Sequence, residues 1–198
     1  YSFTTYSKTP LMLSMLGGIV GDSAEQRAHS EWGKTWMFKH PSPWDYMFFM
    51  SNALHRDLGW FWYYWLFTTE SVDGSIQTVT TNGDHTIVTV KQDGQMPSPI
   101  VLKLQLAPGT APIKAPANAT VSGDTVVVTY PVDVWFGGVS KTFKADIQLG
   151  GRKVERITLD PHCRFPDRDP SDNVWPRTSA ASAAGDGRGS ARGRASCG

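Results

Sequence analysis

The sequence predicts an α+β chain, with a helical front part, an antiparallel β-sandwich behind it and a low-complexity tail. Three observations carry that expectation. Aromatic residues crowd between Trp32 and Phe67, where six of the eight tryptophans lie. From Ser75 the apolar residues change from helical spacing to alternation, the signature of half-buried strands. From Thr178 the chain is nearly all Ala, Gly, Ser and Arg, with little to bury, which predicts disorder. The parts read as 1–71, 72–177 and 178–198.

In the first helix Met12, Met15, Leu16 and Ile19 fall at i, i+3, i+4 and i+7, with Thr9 as the expected cap and Pro10 at the first helical position. Gly17, Gly18 and Gly21 weaken its end. A second helix starts at Asp22, answered by Glu25 three residues on, and carries Ala28, Trp32 and Trp36 on one stripe. A third repeats the device with Ser42, Pro43 and Asp45, and is expected to bury Trp44, Met47, Phe48 and Leu54. Asp57 caps a fourth, LGWFWYYWLF, which is aromatic almost all round and needs protein on most of its sides. Four helices this aromatic call for a larger body to cover them.

In the β part Leu102, Leu104 and Leu106 alternate with Lys103 and Gln105, and Phe143, Ala145, Ile147 and Leu149 alternate with Lys144, Asp146 and Gln148. Asn82-Gly83 and Asp93-Gly94 are expected at hairpin turns, and Gly137-Gly138 and Gly150-Gly151 punctuate later strands. About seven strands with short connections fit a small sandwich. RFPDRDPSDNVWPR closes it as an extended segment anchored by Trp175.

A formal net charge of +1 gives no electrostatic reason to expect nucleic acid. Arg188, Arg192 and Arg194 are too few for a nucleic-acid arm. The longest apolar run, Leu58 to Phe67, is far shorter than the roughly 20 residues of a membrane-spanning helix, so no transmembrane segment is expected in this chain. Cys163 and Cys197 lie in loop-like or tail sequence and are expected in neither a disulfide framework nor a metal knuckle. The chain does not begin with Met and opens straight into a helical pattern, and it reads as cut at its front.

Tyr6-Ser7-Lys8 at a helix start is followed by WMFKHPSPWDYMFFMSNALHRDLGWFWYYWLFTTESVD, with a Lys-His-Pro loop, an aromatic helix, then Asp-Leu and a closing aromatic helix. This ordered series resembles the end of the catalytic domain in the aminopeptidase N and leukotriene hydrolase family, thermolysin-like zinc enzymes also called gluzincins. QMPSPIVLKL, YPVDVW and ITLDP followed by FPDRD are similar to the β domain that follows in bacterial members. The resemblance implies a zinc aminopeptidase acting on peptide amino termini, with an upstream catalytic domain as partner and a periplasmic, extracellular or membrane-associated location.

In that family the Tyr of a Tyr-x-Lys-Gly segment reaches the active site, so the resemblance makes Tyr6 the candidate catalytic residue; Thr9 stands where the family has glycine. A phenol stays protonated at neutral pH and can donate a hydrogen bond to the oxyanion of a tetrahedral intermediate. Tyr6 is therefore read as a transition-state stabiliser and not as a metal ligand. Neither HExxH nor the family's Gly-x-Met-Glu-Asn segment occurs in this chain, so zinc, general base and amine-binding groups are expected upstream, with no metal or cofactor held by these residues and no peptidase activity from this chain alone.

His29, His40, His55, His85 and His162 share no metal spacing and read as structural or surface residues. Lys8 reads as a surface or supporting charge, and the run Trp60 to Phe67 as core and not a sugar platform. Asp167, Asp169 and Asp172 have the look of a calcium loop, but the glycine and terminal Glu of such a loop are missing, and no metal is expected there. The alternative to the enzyme is a peptide- or carbohydrate-binding or structural module without chemistry.

Overall fold

The computed structural model describes residues 4–113, 116–137 and 140–177. The expected tail, Cys197 and Gly138 lie outside the described residues. Four helices and two antiparallel sheets form two compact units, one running to Ser71 and including Arg164–Pro166, the other made of Val72–Cys163 and the residues from Asp167 onward.

The first unit holds α1 (Thr9–Val20), α2 (Asp22–Trp36), α3 (Pro43–Ala53) and α4 (Gly59–Phe67). Met15, Leu16, Met50, Leu58 and Phe61 are fully buried, and Met12, Ala28 and Met47 nearly so. The capping box of α3 is as expected: the Asp45 N–H donates to Ser42 Oγ at 3.3 Å and the Ser42 N–H to Asp45 Oδ2 at 2.8 Å. Asp57 accepts the Gly59 N–H at 2.9 Å from one residue before the cap position of α4, which is Leu58 and has no side-chain cap.

The other two caps differ from expectation. Thr9 is the first residue of α1 and not its cap, because a π-helical turn, Thr4–Lys8, runs into the helix without a break. Asp22 does not cap α2; its carboxylate takes the fork of Arg164, whose Nη1 lies 3.0 Å from Oδ2 while Nη2 reaches Oδ1 and, at 3.1 Å, the Ser14 carbonyl. A bidentate, charge-assisted pair outcompetes a backbone cap for the same carboxylate. The Arg164 hydrogen bond also holds the Asp22 carboxyl below its ordinary range.

That crossing explains Gly17 better than helix weakening does. A Cβ there would stand 2.5 Å from Asp22 Oδ1 and 3.0 Å from Arg164 Nη2, and one at Gly18 would stand 3.1 Å from the Phe165 ring.

In the second unit β1 (Gly74–Asn82), β2 (His85–Gln92) and β6 (Thr142–Gln148) form one sheet in the order β1-β2-β6. β3 (Ile100–Leu106), β4 (Ala119–Ser122), β5 (Thr125–Tyr130), β7 (Val154–Leu159) and β8 (Val174–Trp175) form the other, ordered β4-β5-β3-β7-β8. The inward residues of both sheets meet in one core, with Val88, Val90, Ala145 and Ile147 from the first and Leu102, Leu104, Val126, Val128 and Ile157 from the second. The alternation expected for β3 holds along its length, and Trp175 packs on the core from the edge strand.

Gly83, with φ 62°, turns the β1–β2 hairpin as expected, and Gly123, with φ 57°, does the same between β4 and β5. Asp93-Gly94 is not a hairpin, because β2 and β3 lie in different sheets. The Asp93 and Gly94 N–H groups donate instead to the Asp73 carbonyl, and the chain beyond them crosses to the second sheet. Arg152, buried at the opposite crossing, donates to the Ala107 carbonyl and to Asp124 in the β4–β5 hairpin. Among the described residues no helix is long and apolar enough to cross a membrane.

These contacts set the expected effect of two glycine replacements. At Gly33, exposed on α2, an added Cβ would meet nothing within 4 Å, and Gly33→Ala should gain about 0.5–1 kcal/mol. Gly17→Ala should gain less than Gly33→Ala, because the methyl must push the ends of the Asp22 and Arg164 side chains aside. Chemical denaturation of the two variants checks the order.

A second expectation concerns pH. His85 Nδ1 lies 2.8 Å from Asp146 Oδ1 across β2 and β6, and this hydrogen bond, with the Asp146 and Asp84 charges, raises the imidazole pKa. A raised folded-state pKa stabilises below the unfolded value and loses that contribution as pH rises through the folded one. Melting temperature should therefore fall between about pH 6 and pH 8, and Asp146→Asn should flatten that slope.

Candidate functional site

Tyr6 sits in the π-helical turn before α1, and the turn has a local cause. Pro10 carries no N–H for the carbonyl four residues back, that of Tyr6, and its ring crowds the same oxygen. Widening the preceding turn relieves both conflicts. Lys8 keeps helical angles, φ −69° and ψ −42°, so the chain enters α1 with Tyr6 already on a helix. The Tyr6 side chain is 74% exposed, and among the described residues its hydroxyl has no hydrogen-bond partner. Lys8, half-buried, precedes α1 beside it.

The second feature of this unit is an apolar groove of about 530 Å³ on α3 and α4. Trp44, Met47, Phe48, Trp62, Tyr63 and Phe67 line it, with the Trp44 and Phe67 rings stacked at 5.6 Å and 15°. Trp44 and Phe48, which the helical pattern places in the core, are 55% and 66% exposed. Their spacing is real, yet periodicity does not reveal whether another element covers the face. The expected need for an external body is met only in part: Trp62 and Trp65 are buried within the unit, while Tyr63, Leu66 and Phe67 are not.

Behind the groove a polar chain joins α2 to α3. His29 Nδ1 lies 2.9 Å from Glu25 Oε1, and its Nε2 lies 2.7 Å from the Tyr46 hydroxyl. Burial, then the Glu25 charge, pushes the Tyr46 phenol well above its ordinary value. The phenol therefore keeps its proton and shares a hydrogen bond with Nε2. Tyr46 also meets Trp32 and Trp62 edge-on at 5.2 and 5.7 Å. The sequence places His29 among structural histidines but does not single out Tyr46 and Glu25 as its partners; the i, i+4 spacing of Glu25 and His29 is the available signal.

The structure thus exposes one predicted site residue, Tyr6, and gathers no metal-binding set around it. No group of three or more His, Cys, Asp or Glu among the described residues is placed to hold a metal ion.

No protein-family model matches the sequence, and a search of curated proteins finds no match. Among solved structures, the chain is similar to a crystal structure of Legionella pneumophila aminopeptidase A in complex with aspartic acid, with TM-score 0.57 and 15% identity over 80% of this chain. A chitin-binding domain of a chitinase from Pyrococcus furiosus also matches, at 26% identity over 46% of this chain and 93% of that one, but its TM-score of 0.30 carries no weight for fold or function. The chain spans 17% of the length of the aminopeptidase, and what the two have in common is a distant likeness of fold.

Proposed function

We propose that this chain is the C-terminal part of a zinc-dependent aminopeptidase that removes residues from peptide amino termini. Residues 1–71 end its catalytic domain, and 72–177 form the domain that follows. The observation that carries the reading is an exposed phenol at Tyr6, without a partner among the described residues, on the helix that opens the ordered motif series, in a chain whose fold is distantly like part of an aminopeptidase.

Zinc does not fit the residues present. HExxH is absent from the sequence, and the described carboxylates and imidazoles form no metal-binding group. The metal ligands and the base that activates water belong to residues outside this chain. The part played by this chain is electrostatic. As the scissile carbonyl becomes tetrahedral its oxygen gathers charge, and the Tyr6 hydroxyl donates to it a hydrogen bond that is stronger in the transition state than in the ground state. The helical turn sets where the Tyr6 backbone presents that donor.

The test is Tyr6→Phe in the full-length parent. Hydrolysis of amino-acid anilides should fall about 10²–10³-fold in kcat, with zinc content unchanged. An unchanged rate removes Tyr6 from the chemistry, and a parent without an HExxH removes the enzyme reading. The 198-residue chain alone should hydrolyse none of these substrates.

A further inference from the structure

The second unit contains a cluster of oxygen atoms that the peptidase reading does not use. Val72 pairs with Asp167 in a parallel bridge, and the Arg168 N–H donates to the Val72 carbonyl at 3.0 Å. The segment from Asp167 to Asn173 is thereby pinned against the start of β1. The Gly74 N–H donates to Asp167 Oδ2 at 3.0 Å, the Asp169 N–H to Asp167 Oδ1 at 2.9 Å, and Asn173 Nδ2 to Asp167 Oδ2 at 3.1 Å. Asp169 in turn accepts the Ser171 N–H and hydroxyl. A turn of 3-10 helix, Pro170–Asp172, closes the segment before β8.

Two acceptors are left over. Asn173 is only 7% exposed, and its Oδ1 is buried with no donor among the described residues; Oδ1 of the neighbouring Asp172 is buried and equally unmatched among them. The Asn173 amide cannot simply be turned over to cure this, because Oδ1 would then face the Asp167 carboxylate, acceptor against acceptor. Nδ2 rests on Asp167, and Oδ1 belongs to the same planar amide, so it lies within a few ångströms of that carboxylate. The Arg177 guanidinium is 3.9 Å from Asp172 Oδ2 and does not reach the orphaned Oδ1.

We propose that this segment is a weak binding site for a hard divalent cation, calcium in preference to magnesium, with Asp172 and the Asn173 side-chain oxygen as ligands and Asp167, Asp169 and Asp73 supplying the surrounding negative charge. The donor set is oxygen alone, which selects against zinc and other borderline metals. No three acidic side chains here form a cage by themselves, so water completes the sphere. Calcium accepts such an irregular, partly hydrated shell, whereas magnesium demands near-octahedral geometry. A site with so few protein ligands belongs to the range of dissociation constants around 10⁻⁴–10⁻³ M. Residue spacing argues against a calcium loop because Gly and Glu are missing; this arrangement needs neither, since its ligands come from a 3-10 turn pinned to a strand.

Calcium titration of the chain, followed through backbone amide resonances, tests the proposal. Saturable shifts confined to Gly74 and Asp167–Asn173 are expected below about 10 mM calcium, with a weaker response to magnesium. Asp172→Asn should abolish them while leaving the strand resonances in place, and Ser171→Ala, which touches only the Asp169 cap, should retain them. Absence of saturation, equal shifts in sodium chloride of matched ionic strength, or shifts that survive in Asp172→Asn would each overturn the site.

Discussion

Four short helices carry more aromatic surface than they can hide from water, and the organisation of the first unit follows from that imbalance. Burial of apolar area is the dominant favourable term, so the most central rings go inside. Phe61 is fully buried, with Trp62 and Trp65 close behind. Their burial has a cost, since the indole N–H groups of Trp62 and Trp65 lie inside without acceptors. The Glu25–His29–Tyr46 chain shows the opposite outcome, in which each polar tip of the inner layer finds a partner. The remaining rings, Trp44, Phe48, Tyr63 and Phe67, stay at the surface and shape the groove.

The same shortage explains why a segment from far along the sequence is counted with the helices. Arg164 closes on Asp22 and the Ser14 carbonyl, and Phe165 covers Gly18. Asp22 and Gly17 then lose the roles that local pattern assigns them. Local rules succeed where both partners are local, as at Ser42 and Asp45, and fail where a partner arrives from more than a hundred residues away.

The β part divides along the same line. Alternation in β3 and β6 is legible because a face buried by the opposite sheet imposes period two on every residue. Asp93-Gly94 misleads because a turn dipeptide specifies a change of direction and not which sheet receives the next strand. At the candidate site, Tyr6 is legible only through the series of motifs around it. Its exposure and the widened turn that Pro10 imposes need coordinates. The orphaned oxygens of Asp172 and Asn173 are beyond any spacing rule, because being unsatisfied is a property of the surroundings and not of the residue.

The contrast between the units bears on where function resides. In the second, both sheets turn their apolar residues inward to a single core, and its stability requires nothing further on those faces. In the first, a stacked Trp44–Phe67 pair and a phenol at Tyr6 face solvent together with the groove. Exposed aromatic surface of that extent is uncommon on a folded unit. Tyr46 spends its hydroxyl inside the unit on His29, whereas Tyr6 leaves its ring and hydroxyl in solvent.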